Sequence, residues 1–165
     1  MSLIKGGKLV EDTYVDASGA EAIPPSGAVI VSLAQWQAQR DALLQRGTPL
    51  GLRLQSDQSP EAIADDVQHF ALIALDFPKF RDGRAYSYAR LLRERYGFKG
   101  ELRAVGDVLM EQVFFMVRTG FDAFDLQQSP DPVAAFQTAL HEFSVWYQPT
   151  GDGRPTAMQL RRRTH

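Results

Sequence analysis

From Ala28 onward, short apolar runs alternate with segments whose apolar residues recur at helical spacing, and this alternation most constrains the fold. Ala28 to Val31 is apolar and reads as a strand. Ser32 and Gln35 then fit a capping box, Leu33, Trp36, Leu43 and Leu44 share one broad face, and Gly47 supplies a stop. Pro49 to Leu54 is the next strand. Ser59-Pro60 opens a short helix, because Pro suits a first turn, and Ile63, Val67 and Phe70 follow at i, i+4 and i+7. Phe70 to Leu75 is apolar throughout, as a strand covered on both faces reads. A helix near Ala85 to Tyr96 ends at Gly97, and Glu101 to Val105 is a strand. Asp107, in the turn after it, is placed to cap a helix that runs to Thr119 and stops at Gly120. Asp122 to Leu126 is another strand, and Ser129-Pro130-Asp131-Pro132 opens a helix with Val133, Phe136, Leu140 and Phe143 on its core side.

Alternation of this kind builds right-handed βαβ units. The expected fold is α/β: a mostly parallel open sheet or partial barrel of about five strands with alternating helices. An N-terminal β-hairpin is expected besides, since Leu3-Ile4-Lys5 and Lys8-Leu9-Val10 flank Gly6-Gly7. Thr13 to Val15 reads as a short extended piece, Ala17 to Gly27 as a linker, and Ser144 to Gln148 as a last extended piece. The length of 165 residues fits a single domain, with 1–20 as a hairpin appendage, 28–148 as the α/β core and 149–165 as a frayed tail carrying Arg161-Arg162-Arg163.

Composition narrows the function classes. Eighteen basic against 20 acidic residues give a net charge of −2, which argues against a general nucleic-acid binder. There is no cysteine, so disulfides, thiol catalysis and a thiolate-held iron–sulfur cluster are excluded. The longest apolar run, Phe70 to Leu75, is far short of the ~20 residues that span a bilayer. Met1 to Val10 lacks the apolar core of a signal peptide, so a cytoplasmic address is expected. The three histidines, His69, His141 and His165, stand in no metal-ligand spacing, and no phosphate-loop or dinucleotide glycine pattern occurs, so no cofactor is expected and no catalytic residue is assigned.

Ligands of parallel sheets bind outside the carboxyl ends of the strands. The richest such loop is Asp76-Phe77-Pro78-Lys79-Phe80-Arg81-Asp82-Gly83-Arg84. Lys79, Arg81 and Arg84 suit an oxyanion such as sulfite, sulfate or phosphate. The alternative is a solvated surface in which Asp82 pairs one arginine. Arg103 sits mid-strand, either at a rim beside Glu101 or facing a polar cavity, and joins the anion-binding candidates. Asp76, Asp82 and Asp107 are pocket candidates. Asp76, Asp107 and Asp125 either converge on magnesium or serve as caps and arginine partners; a metal site is not expected. The helix at Val108 to Arg118 carries two apolar stripes. Met110, Phe114 and Val117 form the second, which needs either a neighbouring helix or a second copy of the chain; a homodimer is expected.

The run Phe77 to Arg84, then Tyr86-Ser87 and Ala89 to Arg95, continued by Gly100 to Leu109 and Gly120 to Phe124, resembles the signature of a bacterial domain-of-unknown-function family. Its members are usually encoded beside assimilatory sulfite reductase and are often labelled oxidoreductases. The resemblance thus implies a role in sulfite reduction, with the reductase as a partner, and brings no catalytic residue. Glu111-Gln112 stands where the family tends to have Asp-Gln, and Thr119 where it often has Cys. Without cysteine the chain cannot ligate the reductase's cluster, so it is not the reductase itself. The expected function is an accessory protein of sulfite reduction that binds the reductase, an oxyanion or both. The alternative is a small α/β enzyme acting on a sulfur- or phosphate-bearing metabolite.

Overall fold

Gly6 and Gly7 take φ of +57° and +76°, the conformation a two-residue hairpin turn requires. They join β1 (Ser2–Lys5) to β2 (Lys8–Val10), with Leu3 opposite Val10 and Lys5 opposite Lys8. The structure is a computed structural model that describes residues 2–126, 131–141 and 144–163. The other strands are β3 (Val15–Asp16), β4 (Val29–Ser32), β5 (Leu50–Leu54), β6 (Leu72–Phe77), β7 (Glu101–Gly106) and β8 (Ala123–Leu126). They form one eight-stranded sheet in the order β2-β1-β8-β7-β6-β5-β4-β3. Pairs from β3 to β8 are parallel, whereas β1 lies antiparallel to β8 with Ile4 opposite Phe124.

The fold is thus α/β as expected, but its sheet is mixed and has more strands than the five read from the sequence. The hairpin is no appendage, since it extends the sheet at β8. The piece expected at Thr13 to Val15 forms β3 at the opposite edge. Both additions are decided by long-range pairing, which local patterning does not encode.

The chain passes from β2 to β3, the two outermost strands, through residues 11–14 alone. Laid flat, strands spaced ~4.8 Å apart would put these edges about 34 Å from each other. The five residue steps from Val10 to Val15 reach at most about 18 Å. The sheet must therefore be rolled, and it is an open, curled half-barrel. Strands β3 to β8 follow one another in chain order, so right-handed crossovers place the helices that link them on the same face. That face carries the main core, including Val31, Leu52, Ile73, Leu75, Leu102, Ala104 and Phe124. The other, concave face carries only a small apolar cluster of Ile30, Leu72, Ala74 and Val105, with Tyr14 packed on it.

The helix starts show why the alternation was readable. Ser32 Oγ accepts from Gln35 N–H at 3.3 Å and Gln35 Oε1 accepts from Ser32 N–H at 2.8 Å, the expected capping box of α1 (Leu33–Leu44). Trp36, 1% exposed, meets Phe70 edge-on and donates to Asp66 at 3.1 Å. Ser59 caps a 3₁₀ turn at Pro60–Ile63, and another follows at Val67–His69. The next helix is α2 (Arg84–Arg90), continued by a π-helical turn Leu91–Arg95. A 3₁₀ turn Met110–Gln112 leads into α3 (Val113–Thr119), and its N-cap position is Leu109, not Asp107. Gly120 ends α3 with φ +110°. Then comes α4 (Pro132–His141), with Phe136 and Ala139 buried; Ser129, Pro130 and Phe143 lie outside the described residues. Ser144 to Gln148 forms no strand, and the expected frayed tail contains α5 (Ala157–Arg163), opened by a reciprocal Thr156–Gln159 cap.

Candidate functional site

The loop from Pro78 to Arg84 leaves β6 at its carboxyl end. Lys79, Phe80 and Arg81 are exposed, and Asp82 N–H bonds back to Lys79 O at 2.9 Å, closing a turn. Pro78, Lys79, Arg81, Asp82 and Arg84 line a groove of about 470 Å³. The structure thus brings the three expected cations of the loop together. It does not leave them equivalent. Arg84 grips Asp82 with two bonds, Nη2 to Oδ2 at 2.6 Å and Nε to Oδ1 at 3.0 Å, and gives a third to Ser56 Oγ at 3.0 Å. The Arg84 guanidinium beside it holds the Asp82 carboxyl well below the usual carboxylate range. Among the described residues, no carboxylate pairs with Lys79 or Arg81. These two free cations flank Phe80, which is 52% exposed. Tyr88 Oη of the helix that follows donates to Ser56 O at 3.2 Å, so the loop after β5 is held by both Arg84 and Tyr88.

Arg103 and Asp76 belong to a different place, the concave face of the sheet. Arg53, Ala74, Arg103, Ala123 and Lys5 are successive register partners across β5, β6, β7, β8 and β1. Cations thus alternate with alanines along one row. Glu101 Oε1 accepts from Arg103 Nε at 2.8 Å, and its Oε2 from Lys5 at 2.6 Å. Asp12 Oδ2 accepts from Arg103 Nη1 at 2.6 Å. Arg53 is bound by Asp16 at 2.9 Å and by Asp76 at 2.5 Å. Burial opposes the charge of Arg103, but Asp12 and Glu101 more than offset it and its pKa stays raised. Arg103 is thus paired to Glu101, as the first reading had it, but on an interior strand and 4% exposed rather than at a rim.

Asp107 lies in the turn after β7, where its N–H bonds Phe77 O at 2.7 Å, and it is not among the residues lining the basic groove. Asp76 is taken by Arg53, and no group of three carboxylates or histidines converges among the described residues. Asp125, half-buried on the concave side, has its carboxyl pushed up by burial.

The second stripe of α3 finds its cover within the chain. Phe114 is 4% exposed and meets Trp146 at 5.7 Å between ring centroids. Met110 and Val117 pack against the core. Arg118, 8% exposed, stacks 4.5 Å over Trp146 and bonds Gln148 O at 2.9 Å and Asp152 at 3.1 Å, pinning the C-terminal segment onto α3. The row expected at a dimer interface is therefore covered by the chain's own C-terminal segment and core. Phe115, 52% exposed, faces out instead.

Sequence reasoning missed Asp12, Tyr14 and Arg53. A signal existed for Arg53, which stands between Leu52 and Leu54 as Arg103 stands between Leu102 and Ala104. Asp12 and Tyr14 carried none, because only the rolling of the sheet brings them over it.

No helix among the described residues is long and apolar enough to cross a membrane. No curated protein matches the chain. A family model described as a bacterial protein of unknown function (DUF934) matches residues 51–158, from β5 through the basic loop and β8 to α5. That span is well over half of the 165 residues, and the chain belongs to this bacterial family of unknown function.

Proposed function

We propose that this protein is an accessory factor of assimilatory sulfite reduction, and that it docks on the reductase through the loop Pro78 to Arg84. The observation that carries the reading is a pair of cations, Lys79 and Arg81, with no carboxylate partner among the described residues, on either side of a half-exposed Phe80. An aromatic side chain flanked by free positive charge fits an acidic protein surface better than a bare oxyanion, which offers the ring nothing. The resemblance in the run Phe77 to Arg84 supplies the process. Binding of sulfite or phosphate in the same groove is the second reading, since Lys79 and Arg81 would serve it as well.

The enzyme alternative draws less support. It asks for Arg84 and Arg103 in one pocket, whereas Arg84 is engaged by Asp82 and Ser56 and Arg103 by Glu101 and Asp12. Deleting the gene in a host that makes the reductase tests the process. The deletion strain should grow poorly on sulfate or sulfite as sole sulfur source and normally on sulfide or cysteine. Unimpaired growth on sulfate and sulfite contradicts the proposal.

A further inference from the structure

Residues 11–14 cross the concave face as a strap without joining the sheet. Among the described residues, the backbone of Glu11, Asp12 and Thr13 makes no hydrogen bond to a strand, and Asp12 Oδ1 instead accepts from Tyr14 N–H at 3.0 Å. The strap is held by side chains. Asp12 binds Arg103, whose side chain is only 5% exposed, at 2.6 Å. Tyr14 lies on Ile30, Leu72, Ala74 and Val105, with the Arg103 guanidinium 5.8 Å from its ring centroid. A segment with few backbone bonds and an exposed carboxylate opens locally at low cost.

Opening would leave a particular surface. Arg103 keeps Glu101 on Nε but loses its partner on Nη1, and a buried guanidinium donor left unfilled is costly. Beside it lies the apolar bed vacated by Tyr14. Ala74 separates Arg103 from Arg53, two strands or about 10 Å away, which leaves room for a flat ring between them. The carboxyl groups of Asp76 and Glu101 are already committed to Arg53 and to Arg103 with Lys5, and Asp125 disfavours its charged form through burial.

We propose that the concave face is a binding cleft for a small aromatic anion, a ring bearing a carboxylate or sulfonate, and that Asp12 and Tyr14 fill it as a built-in stand-in. The carboxylate of the ligand takes Arg103 Nη1 and its ring takes the bed of Tyr14. The strap must leave for the ligand to enter. This cleft is independent of the basic loop.

Calorimetric titration with 4-hydroxyphenylacetate, a phenol ring joined to a carboxylate, tests it on the full chain. An Asp12→Asn/Tyr14→Ala variant should bind about tenfold tighter than wild type or better, because a closed strap lowers apparent affinity by the fraction of time it is open. In wild type, saturating ligand should abolish the nuclear Overhauser contacts of the Tyr14 ring with Ile30 and Val105, while amides of β5, β6 and β7 stay protected from exchange. Equal affinity in a folded variant overturns the proposal. So do unchanged Tyr14 contacts at saturation, or no binding to wild type at tens of millimolar. If the variant does not fold, the Tyr14 contacts in wild type decide alone.

Discussion

At the scale of single residues, the arginines divide the labour. Arg93 is spent on structure, giving bonds to the carbonyls of Phe98, Gly100 and Gly120 and pairing with Asp122. Arg118 holds the C-terminal segment, Arg84 is clamped by Asp82, and Arg53 and Arg103 sit inside the roll. Among the described residues, Lys79 and Arg81 near the carboxyl edge have no carboxylate partner. Charge also makes a stability claim at Asp125. Burial raises its carboxyl pKa, so the folded state pays for ionising it once the pH exceeds the unfolded value near 3.9. Asp125→Asn should therefore raise the melting temperature at pH 7, and the gain should fade as the pH falls below about 4. Thermal melts across this range check it, and a loss of stability at neutral pH would show that the carboxylate is favourably paired instead.

Among the elements, α3 decides between two readings of one stripe. Phe114 is covered by Trp146 and Arg118 of the same chain, so Phe114→Ala should open a cavity and cost about 3–5 kcal/mol. Urea unfolding should record that loss, while light scattering should show an unchanged molecular mass. A variant of normal stability and half the mass would restore the dimer interface. The elements also show what was legible. The Ser32–Gln35 cap, the Gly6-Gly7 turn and the apolar runs of β4, β5, β6, β7 and β8 are local signals, and the structure reproduces them. The start of α3 was misplaced because Gly106-Asp107 imitates a cap, whereas a 3₁₀ turn intervenes and Gln112 Oε1 accepts from Leu109 N–H at 3.2 Å. The tail looked frayed because its anchors, Trp146 and Arg118, are joined only by tertiary packing.

For the whole molecule, the rolled sheet explains why half of the site was hidden from the sequence. The basic loop could be read because it is continuous, Lys79 to Arg84. Of the concave row, Arg103 stood out alone as a mid-strand cation, but its alignment with Arg53 and Lys5 could not be read, since the three come from different strands and are assembled by register. The docking face proposed above lies at the carboxyl edge of this sheet, where Lys79 and Arg81 flank Phe80 and have no carboxylate partner among the described residues. Calorimetric titration of the chain into purified assimilatory sulfite reductase tests that most directly, using wild type and Lys79→Ala/Arg81→Ala. Wild type should bind measurably, more weakly as salt rises, and the double variant should lose about tenfold in affinity or more with its fold intact. Equal affinity in the two proteins, or no binding by wild type at low salt, would contradict a docking role for this loop.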